Sequence, residues 1–477
     1  MLNFIQNLGL YTDFYELAMA QGYYFCGKKN ETATFDYFFR TNPFQGGFTV
    51  FAGLADFLEI LEQFTYSKED IEFLKAQGFK PEFLNYLKKF RFSGNIFSMQ
   101  EGEIVFPNEP VLKVESNIIE AQLVESLLLN ILNFESLIAT KAFRIKMVAG
   151  ENVFSDFGLR RAQGFGSIYA SRAACIGGAS STSNVLAGKL YGIPVTGTIA
   201  HSWIQSFDNE LDAFRTYSQS NPEHVILLVD TYDTLRSGVP NAIIVGNELK
   251  EKGNRLKAIR LDSGDLAYLS KKARKMLDDA GLNDVKIIAS NQLNEHVVQS
   301  LLHDQKAPID TFGIGTEMIT GKPDAALDGV YKLAEVNHQP KMKLSENIEK
   351  TTLPGNKQVY RFFDATGNFS IDGIFCSDES IQDLNPVYHP VYPEKNTILK
   401  GLNYESLLSS VVSNGKVIVK SNSPAEIHNY AIKRAACLPV EHKRFISPHI
   451  YKVGISKKLL EKRNALTKQL NTQNYSK

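Results

Sequence analysis

The sequence predicts an α/β protein: an irregular or incomplete α/β barrel flanked by N-terminal and C-terminal α+β blocks. Three observations lead there. Between about residues 151 and 335, short apolar runs that end in a polar residue or glycine alternate with helical or loop segments: "NVFSDFG", "IPVTGTIAH", "HVILLVDTYD", "LKAIRLDSGD", "VKIIASNQ" and "IDTFGIGTE". This is the rhythm of parallel strands with crossover helices, with room for roughly six or seven units. Mixed helix and strand patterns lie on either side, and 477 residues exceed the roughly 250 to 300 at which a single core stops growing. The blocks divide at about 1–135, 136–340 and 341–477.

Taken in order, "YTDFYELAMAQGYYF" has the apolar spacing of a helix capped by Thr12 or Asp13, and "ATFDYFFRTNPFQGGFTVFAG" alternates like strands broken at Pro43 and Gly46-Gly47. Two short strands are expected at 104–106 and 111–114, followed by one long apolar helix over about 118–149 that joins two blocks. If the central units form a barrel, their strand ends converge on one mouth, and chemistry belongs there. Those ends are Asp156, His201, Asp230, Asp262, Ser290 and Gly315. Past residue 340, Pro354-Gly355-Asn356 and Ala365-Thr366-Gly367-Asn368 read as hairpin turns, and "KKLLEKRNALTKQLN" as a basic, amphipathic last helix whose polar side is a solvated face.

Composition narrows the function classes. Fifty-two basic residues balance fifty-two acidic ones, so no global field attracts nucleic acid or an anionic membrane. The four cysteines lie far apart without a Cys-x-x-Cys pair, which signals neither a zinc site nor a disulfide framework and suits a reducing cytoplasm. Neither an export signal nor an apolar span of about 18 residues is read. Walker-type, His-Glu-x-x-His and Gly-x-Ser-x-Gly motifs do not occur.

His201, by residue type alone, reads as a hydrogen-bonded rim side chain. Its neighbours change that, because Asp230 and Asp262 end adjacent expected strands, and a carboxylate that binds one imidazole nitrogen frees the other as base or nucleophile. "RLDSGD" gathers Arg260, Asp262 and Asp265 where a strand ends; the bland alternative is a capped turn with a surface ion pair. "GIGT" offers Gly313, Gly315 and the Thr316 hydroxyl for close approach to a phosphate, although Gly-x-Gly also serves many ordinary turns. "DFGLRRAQGFG" combines Phe157, Arg160 and Arg161 with glycines, a set able to stack a flat ring and bind an anion, or simply a charged loop rim. "VILLVDTYDT" lacks the acidic pair and Thr-Gly turn of the open-sheet phosphoribosyltransferases.

"TDFYELAMAQGYY", "DFGLRRAQG", "SSTSNVLAGKLYGIPVTGTIAHSWIQSF", "IRLDSGDL", "ASNQLNE", "GIGTE" and "GVYKL" occur in that order, and together they closely resemble the nicotinate phosphoribosyltransferase family from about residue 10 to 451. The resemblance implies that nicotinate and phosphoribosyl pyrophosphate give nicotinate mononucleotide and pyrophosphate, with ATP as co-substrate and magnesium as cofactor. It also implies a homodimer in which the N-terminal block completes the active site of a neighbouring subunit. By the same resemblance, ATP transiently phosphorylates His201, and Asp230 orients it. Thr198, Arg260 and Tyr15 contact nicotinate, with Tyr15 arriving from the partner to sandwich the ring against Phe157. Arg160 binds an anion at the nicotinate site and Thr316 contacts the phosphoribosyl group. Asp262, Ser290, Asn291, Gly313 and Gly315 lie near ribose or phosphate, and Lys332 in "GVYKL" binds pyrophosphate.

The nearest rival substrate is nicotinamide. Relatives that use it carry an aspartate in the segment matching "TSNVLAG", where Asn184 stands here; an aspartate would repel the carboxylate of nicotinate, whereas Asn184 tolerates it. A quinolinate enzyme would have a much shorter chain. A barrel glycosidase needs paired carboxylates flanking one bond, which Asp230 and Asp262 could supply, but a single Trp offers little sugar-stacking surface. A catalytically silent scaffold would be marked by loss of His201, Arg260 or Asp262, and all three are present.

Overall fold

The computed structural model describes residues 8–345, 351–380 and 386–475, with side chains to 472. The chain forms two compact units: Met1–Leu137 with Ala326–Asn422 and Asn429–Lys477, and Ile138–Ala325 with Ser423–His428. No helix among the described residues is long and apolar enough to cross a membrane.

Besides a two-stranded sheet of Thr49–Val50 and Ile104–Val105, the first unit is built on two large sheets. One runs in the order Gln339–Pro340, Gly329–Val336, Thr32–Phe39, Leu112–Asn117, Asn95–Ser98, Ser409–Ser413 and Lys416–Val417, antiparallel throughout. The other centres on the hairpin of Lys357–Phe363 with Phe369–Cys376. The turn expected at 365–368 closes that hairpin: Asp364 Oδ1 accepts from the amides of Thr366 and Asn368 at 2.8 and 2.9 Å, and Gly367 takes φ 85°.

Helix Phe14–Phe25 forms where its apolar spacing placed it, but its expected cap works differently. Asp13 makes no side-chain cap bond; Thr12 donates its hydroxyl to Glu16, and Glu16 in turn accepts from the Ser126 amide at 3.0 Å. That carboxylate explains a second difference. The single helix expected over 118–149 is two, Ile118–Leu123 and Glu125–Ala149, parted at Val124. Amides at the start of the second helix need an outside acceptor, and Glu16 supplies one from 110 residues away in sequence. Burial pushes the Glu16 carboxyl up to about 7.

Arg361, completely buried, holds the second sheet to its surroundings. It binds Asp372 through Nε and Nη2 at 2.9 and 2.6 Å, Glu103 through Nη1 at 2.5 Å, and the Ile104 carbonyl at 2.8 Å. Its guanidinium lies 4.2 Å from the Phe369 ring centroid, and Arg434, which also pairs with Glu103, lies 4.8 Å from it. Burial and, after it, the nearby Asp372 push Glu109 well above the usual carboxylate range.

The second unit carries a six-stranded parallel sheet in the order Ser181–Thr182, Val153–Asp156, Thr311–Ile314, Lys286–Ser290, Leu256–Leu261 and Val225–Leu228. The sheet curls without closing, so the barrel is incomplete, as the sequence predicts. Five of the six expected runs became strands. The exception is 194–200, which contributes only a bridge between Val195 and Thr182. Pro194 has no N–H for a ladder and offers only its carbonyl, to the Thr182 amide at 3.0 Å. The neighbouring strand is instead Ser181–Thr182, too short to show an apolar period. Beneath the sheet, Lys141 and Arg144 clasp the buried Glu295 at 2.6 and 3.0 Å.

Replacing Arg361 with Ala leaves Asp372 buried without its cation and Glu103 with Arg434 alone. The substitution is expected to cost about 3–5 kcal/mol, measured as a lowered urea midpoint of the transition of this unit.

Candidate active site

Strand ends of the curled sheet meet around one guanidinium. Arg260 sits next to last in Leu256–Leu261, and its side chain is 14% exposed. Nε donates to Ser290 Oγ at 2.9 Å, Nη1 to Thr198 Oγ1 at 2.8 Å and Nη2 to Asp262 Oδ1 at 2.7 Å. Three segments distant in sequence are thereby tied to one cation. A guanidinium has five N–H donors, so two remain for a ligand.

The Phe157 ring lies beside this cation, its centroid 5.4 Å from the guanidinium carbon. Phe157 follows the strand Val153–Asp156, and its amide donates to the Ile314 carbonyl at 2.8 Å. Gly313 makes space for it: a Cβ there would stand 2.5 Å from the ring carbons. The role of Gly313 in the structure is thus to seat an aromatic ring. Gly315, whose Cβ would come within 3.2 Å of the Phe157 carbonyl oxygen, precedes the short helix Thr316–Ile319.

The acidic groups have distinct tasks. Asp262 Oδ1 accepts from both Arg260 and the Ser290 hydroxyl. Asp230, buried two residues beyond its strand, accepts through Oδ2 from the Asp262 amide and the Ser263 hydroxyl, each at 2.7 Å, and so fixes the turn that presents Asp262. Its Oδ1 is buried with no hydrogen-bond partner. Ser290 ends its strand, and Asn291 follows with φ 91°, a left-handed backbone that a side chain adopts only when its surroundings impose it.

His201 opens the helix His201–Gln205 at the same mouth. Its Nδ1 lies 3.1 Å from Thr231 Oγ1 and its Nε2 3.9 Å from Asp262 Oδ2. The orienting contact expected from Asp230 is made instead by Thr231, one residue on, because the Asp230 carboxylate is turned into the 262–263 loop. Asn184 is buried and caps the helix Val185–Tyr191: Oδ1 accepts from the Ala187 amide at 3.2 Å, and Nδ2 donates to the Ser167 carbonyl at 3.3 Å. Arg160 is exposed on the loop after Phe157.

The structure therefore brings together Phe157, Thr198, His201, Asp230, Asp262, Arg260, Ser290 and Gly313, with Asn291, Gly315 and Thr316 on the loops that continue their strands. Tyr15 and Lys332 belong to the other unit. There Tyr15 is 46% exposed, its hydroxyl pushed above its usual range by burial and by Glu125, and Lys332 Nζ lies 3.8 Å from Glu125 Oε1. Thr231 escaped sequence reasoning, since a threonine after a strand-end aspartate carries no signal of its own.

Family models described as the nicotinate phosphoribosyltransferase N-terminal domain, family and C-terminal domain match residues 10–133, 153–385 and 356–463. The nicotinate phosphoribosyltransferase of Bacillus subtilis is 43% identical over 459 residues, covering 94% of this chain and 93% of that protein. The Caenorhabditis elegans protein of the same name is 37% identical, with 95% and 92% covered. The crystal structure of human nicotinic acid phosphoribosyltransferase superimposes with a TM-score of 0.87 at 30% identity, covering 95% of this chain and 99% of that one.

Proposed function

This chain belongs to the nicotinate phosphoribosyltransferase family, and on that premise we propose how its mouth residues carry out an ATP-coupled transfer. The enzyme joins nicotinate to phosphoribosyl pyrophosphate. The observation that carries the reading is Arg260: a fixed, largely buried cation beside an aromatic ring, with two N–H donors to spare, is a receptor for a flat anion. Nicotinamide would bring no negative charge to the two spare N–H groups of that cation. In this reading Arg260 and Thr198 hold the carboxylate, Phe157 carries one face of the pyridine, and Arg160 adds positive field. Asn184 acts from behind, by shaping the loop with its cap.

The pyridine nitrogen attacks the anomeric carbon, the bond from that carbon to the diphosphate oxygen breaks, and its electron pair leaves with pyrophosphate. Positive charge grows on the ribose as this happens, and Asp262 is the carboxylate placed to meet it. Ser290, Asn291, Gly313, Gly315 and Thr316 bound the phosphoribosyl side, and Lys332 binds pyrophosphate. Bound magnesium would neutralise the departing diphosphate; the oxygens suited to it are the unpartnered Asp230 Oδ1 and the second oxygen of Asp262, few enough that substrate phosphates complete the shell.

ATP enters through His201. An imidazole nitrogen takes the γ-phosphoryl group as ADP departs, and water later cleaves the N–P bond to restore His201 and release phosphate. Thr231 steadies the ring at Nδ1 throughout. We place the work in the cytoplasm, where the four cysteines, all free, remain thiols. The working form is a homodimer in which Tyr15 reaches the partner's pyridine site.

Nicotinate, but neither nicotinamide nor quinolinate, is expected to stimulate pyrophosphate release from phosphoribosyl pyrophosphate; equal stimulation by nicotinamide refutes the substrate reading. His201→Ala should keep measurable phosphoribosyl transfer yet lose its response to ATP, and the wild-type protein should acquire acid-labile label from ATP marked in its γ-phosphate. Tyr15→Ala should raise the nicotinate requirement, and at nicotinate concentrations too low for it, mixing it with Arg260→Ala protein should restore up to about a quarter of the activity if subunits exchange at random between shared sites; no recovery, with mixed dimers verified by differential tags, counts against a composite site.

A further inference from the structure

The buried Asp156 has no place in the transfer described so far. It ends the strand Val153–Asp156 fully shielded from solvent, and three neutral donors, with no cation, satisfy its carboxylate. Oδ1 accepts from the Gly158 amide at 2.8 Å, while Oδ2 accepts from the hydroxyls of Ser171 and Thr182, both at 2.7 Å. An unpaired buried carboxylate is costly, so such an arrangement persists where the groups it holds must not move.

What it holds is the backbone on either side of Phe157. The Phe157 amide is fixed to the Ile314 carbonyl and the Gly158 amide to Asp156, so the peptide planes before and after the Phe157 Cα are both pinned. Gly158 itself is wedged against Ile319, where a Cβ would come within 2.5 Å. Ser171 lies on the helix Gly166–Ile176 and Thr182 on the edge strand, so the carboxylate also ties this loop to two further elements. Thr182 Oγ1 accepts in turn from the Asn184 amide at 3.0 Å, which extends the link to the capped helix.

We propose that Asp156 is the positioning residue that sets Phe157 as the platform for the pyridine ring. It touches no substrate and acts through the Gly158 amide. The inference rests on the reading that nicotinate stacks on Phe157, so the experiment separates the two.

Steady-state constants for nicotinate and for phosphoribosyl pyrophosphate are measured on the full-length enzyme together with its melting temperature. Phe157→Ala should raise KM for nicotinate about tenfold, the worth of one aromatic face. Asp156→Ala should reproduce most of that rise while KM for phosphoribosyl pyrophosphate stays within about twofold. Asp156→Asn should return KM for nicotinate to near the wild-type value. It keeps an acceptor for the Gly158 amide, and Ser171 can turn its proton to the Ser167 carbonyl, 2.9 Å away. Should Asp156→Ala fail to fold, Thr182→Val, which removes one of the three donors, is expected to raise KM for nicotinate about threefold.

A merely structural aspartate would lower melting temperature and active fraction without moving KM for one substrate. The proposal is overturned if Phe157→Ala raises KM for nicotinate and Asp156→Ala, or Thr182→Val in its stead, does not. It is overturned equally if Asn raises KM as much as Ala. An unchanged KM in Phe157→Ala removes the platform itself, and the proposal with it.

Discussion

A guanidinium withdrawn from water must be surrounded by acceptors, and the mouth of this half-barrel is organised by that demand on Arg260. Its bonds to Ser290, Thr198 and Asp262 join the ends of two neighbouring strands to the irregular segment before His201, which belongs to no strand. A planar, forked cation can serve three directions at once, which an ammonium on a flexible stem cannot do with the same geometry. Asp262 is held in its turn by the Ser290 hydroxyl on its carboxylate and by Asp230 on its amide. Position is thus transmitted from buried Asp230, through the 262–263 turn, to the groups that face the ligand.

The Phe157 side of the mouth is built by a different device. It relies on missing atoms: Gly313 has no Cβ where the ring must lie, and Gly158 none where Ile319 presses. Close packing against backbone makes the ring immobile at little entropic cost, and Asp156 fixes the loop from behind. An aromatic seat fixed by sterics beside a cation fixed by hydrogen bonds is a preorganised receptor, so binding need not rearrange it.

Much of this was legible in the sequence, and the physical reason differs by residue. The apolar runs ending at Asp156, Ser290 and Ile314 announced strands because a parallel strand buried on both faces needs an unbroken apolar stretch. Asp262 stands out as a charged group directly after such a run, Arg260 as a cation near the end of one, and His201 as a histidine after an apolar run. The run at 194–200 misled because its apolar content is real while Pro194 denies it a ladder. The sequence of 118–149 predicts one continuous helix because its break at Val124 depends on Glu16, a partner no local window contains. Thr12 and Asp13 looked like caps for the same local reason, while the fold turned Thr12 toward Glu16. Asn184 and Thr231 mark the limit of motif reasoning: the motif around Asn184 does not reveal that its side chain caps a helix, and nothing in the sequence separates Thr231 from its neighbour Asp230.

Asp262 is the residue through which the two halves of the proposed chemistry communicate. Its Oδ1 belongs to Arg260, and its Oδ2 faces His201 Nε2 at 3.9 Å. A phosphoryl group on His201 would bring negative charge toward a carboxylate that already neutralises the cation of the ring site. Two outcomes would relieve that repulsion: Asp262 leans further onto Arg260, or a divalent cation bound with the diphosphate sits between them. The first weakens the pull of Arg260 on a ligand carboxylate and the second strengthens the hold on the leaving group. If His201 is phosphorylated as proposed, a side chain that faces it and also binds Arg260 would carry that change of charge to the ring site. Either outcome starts from the position in which Asp230 and Ser290 hold Asp262, so buried Asp230 would bear on the coupling although it meets no substrate atom through the bonds it makes here.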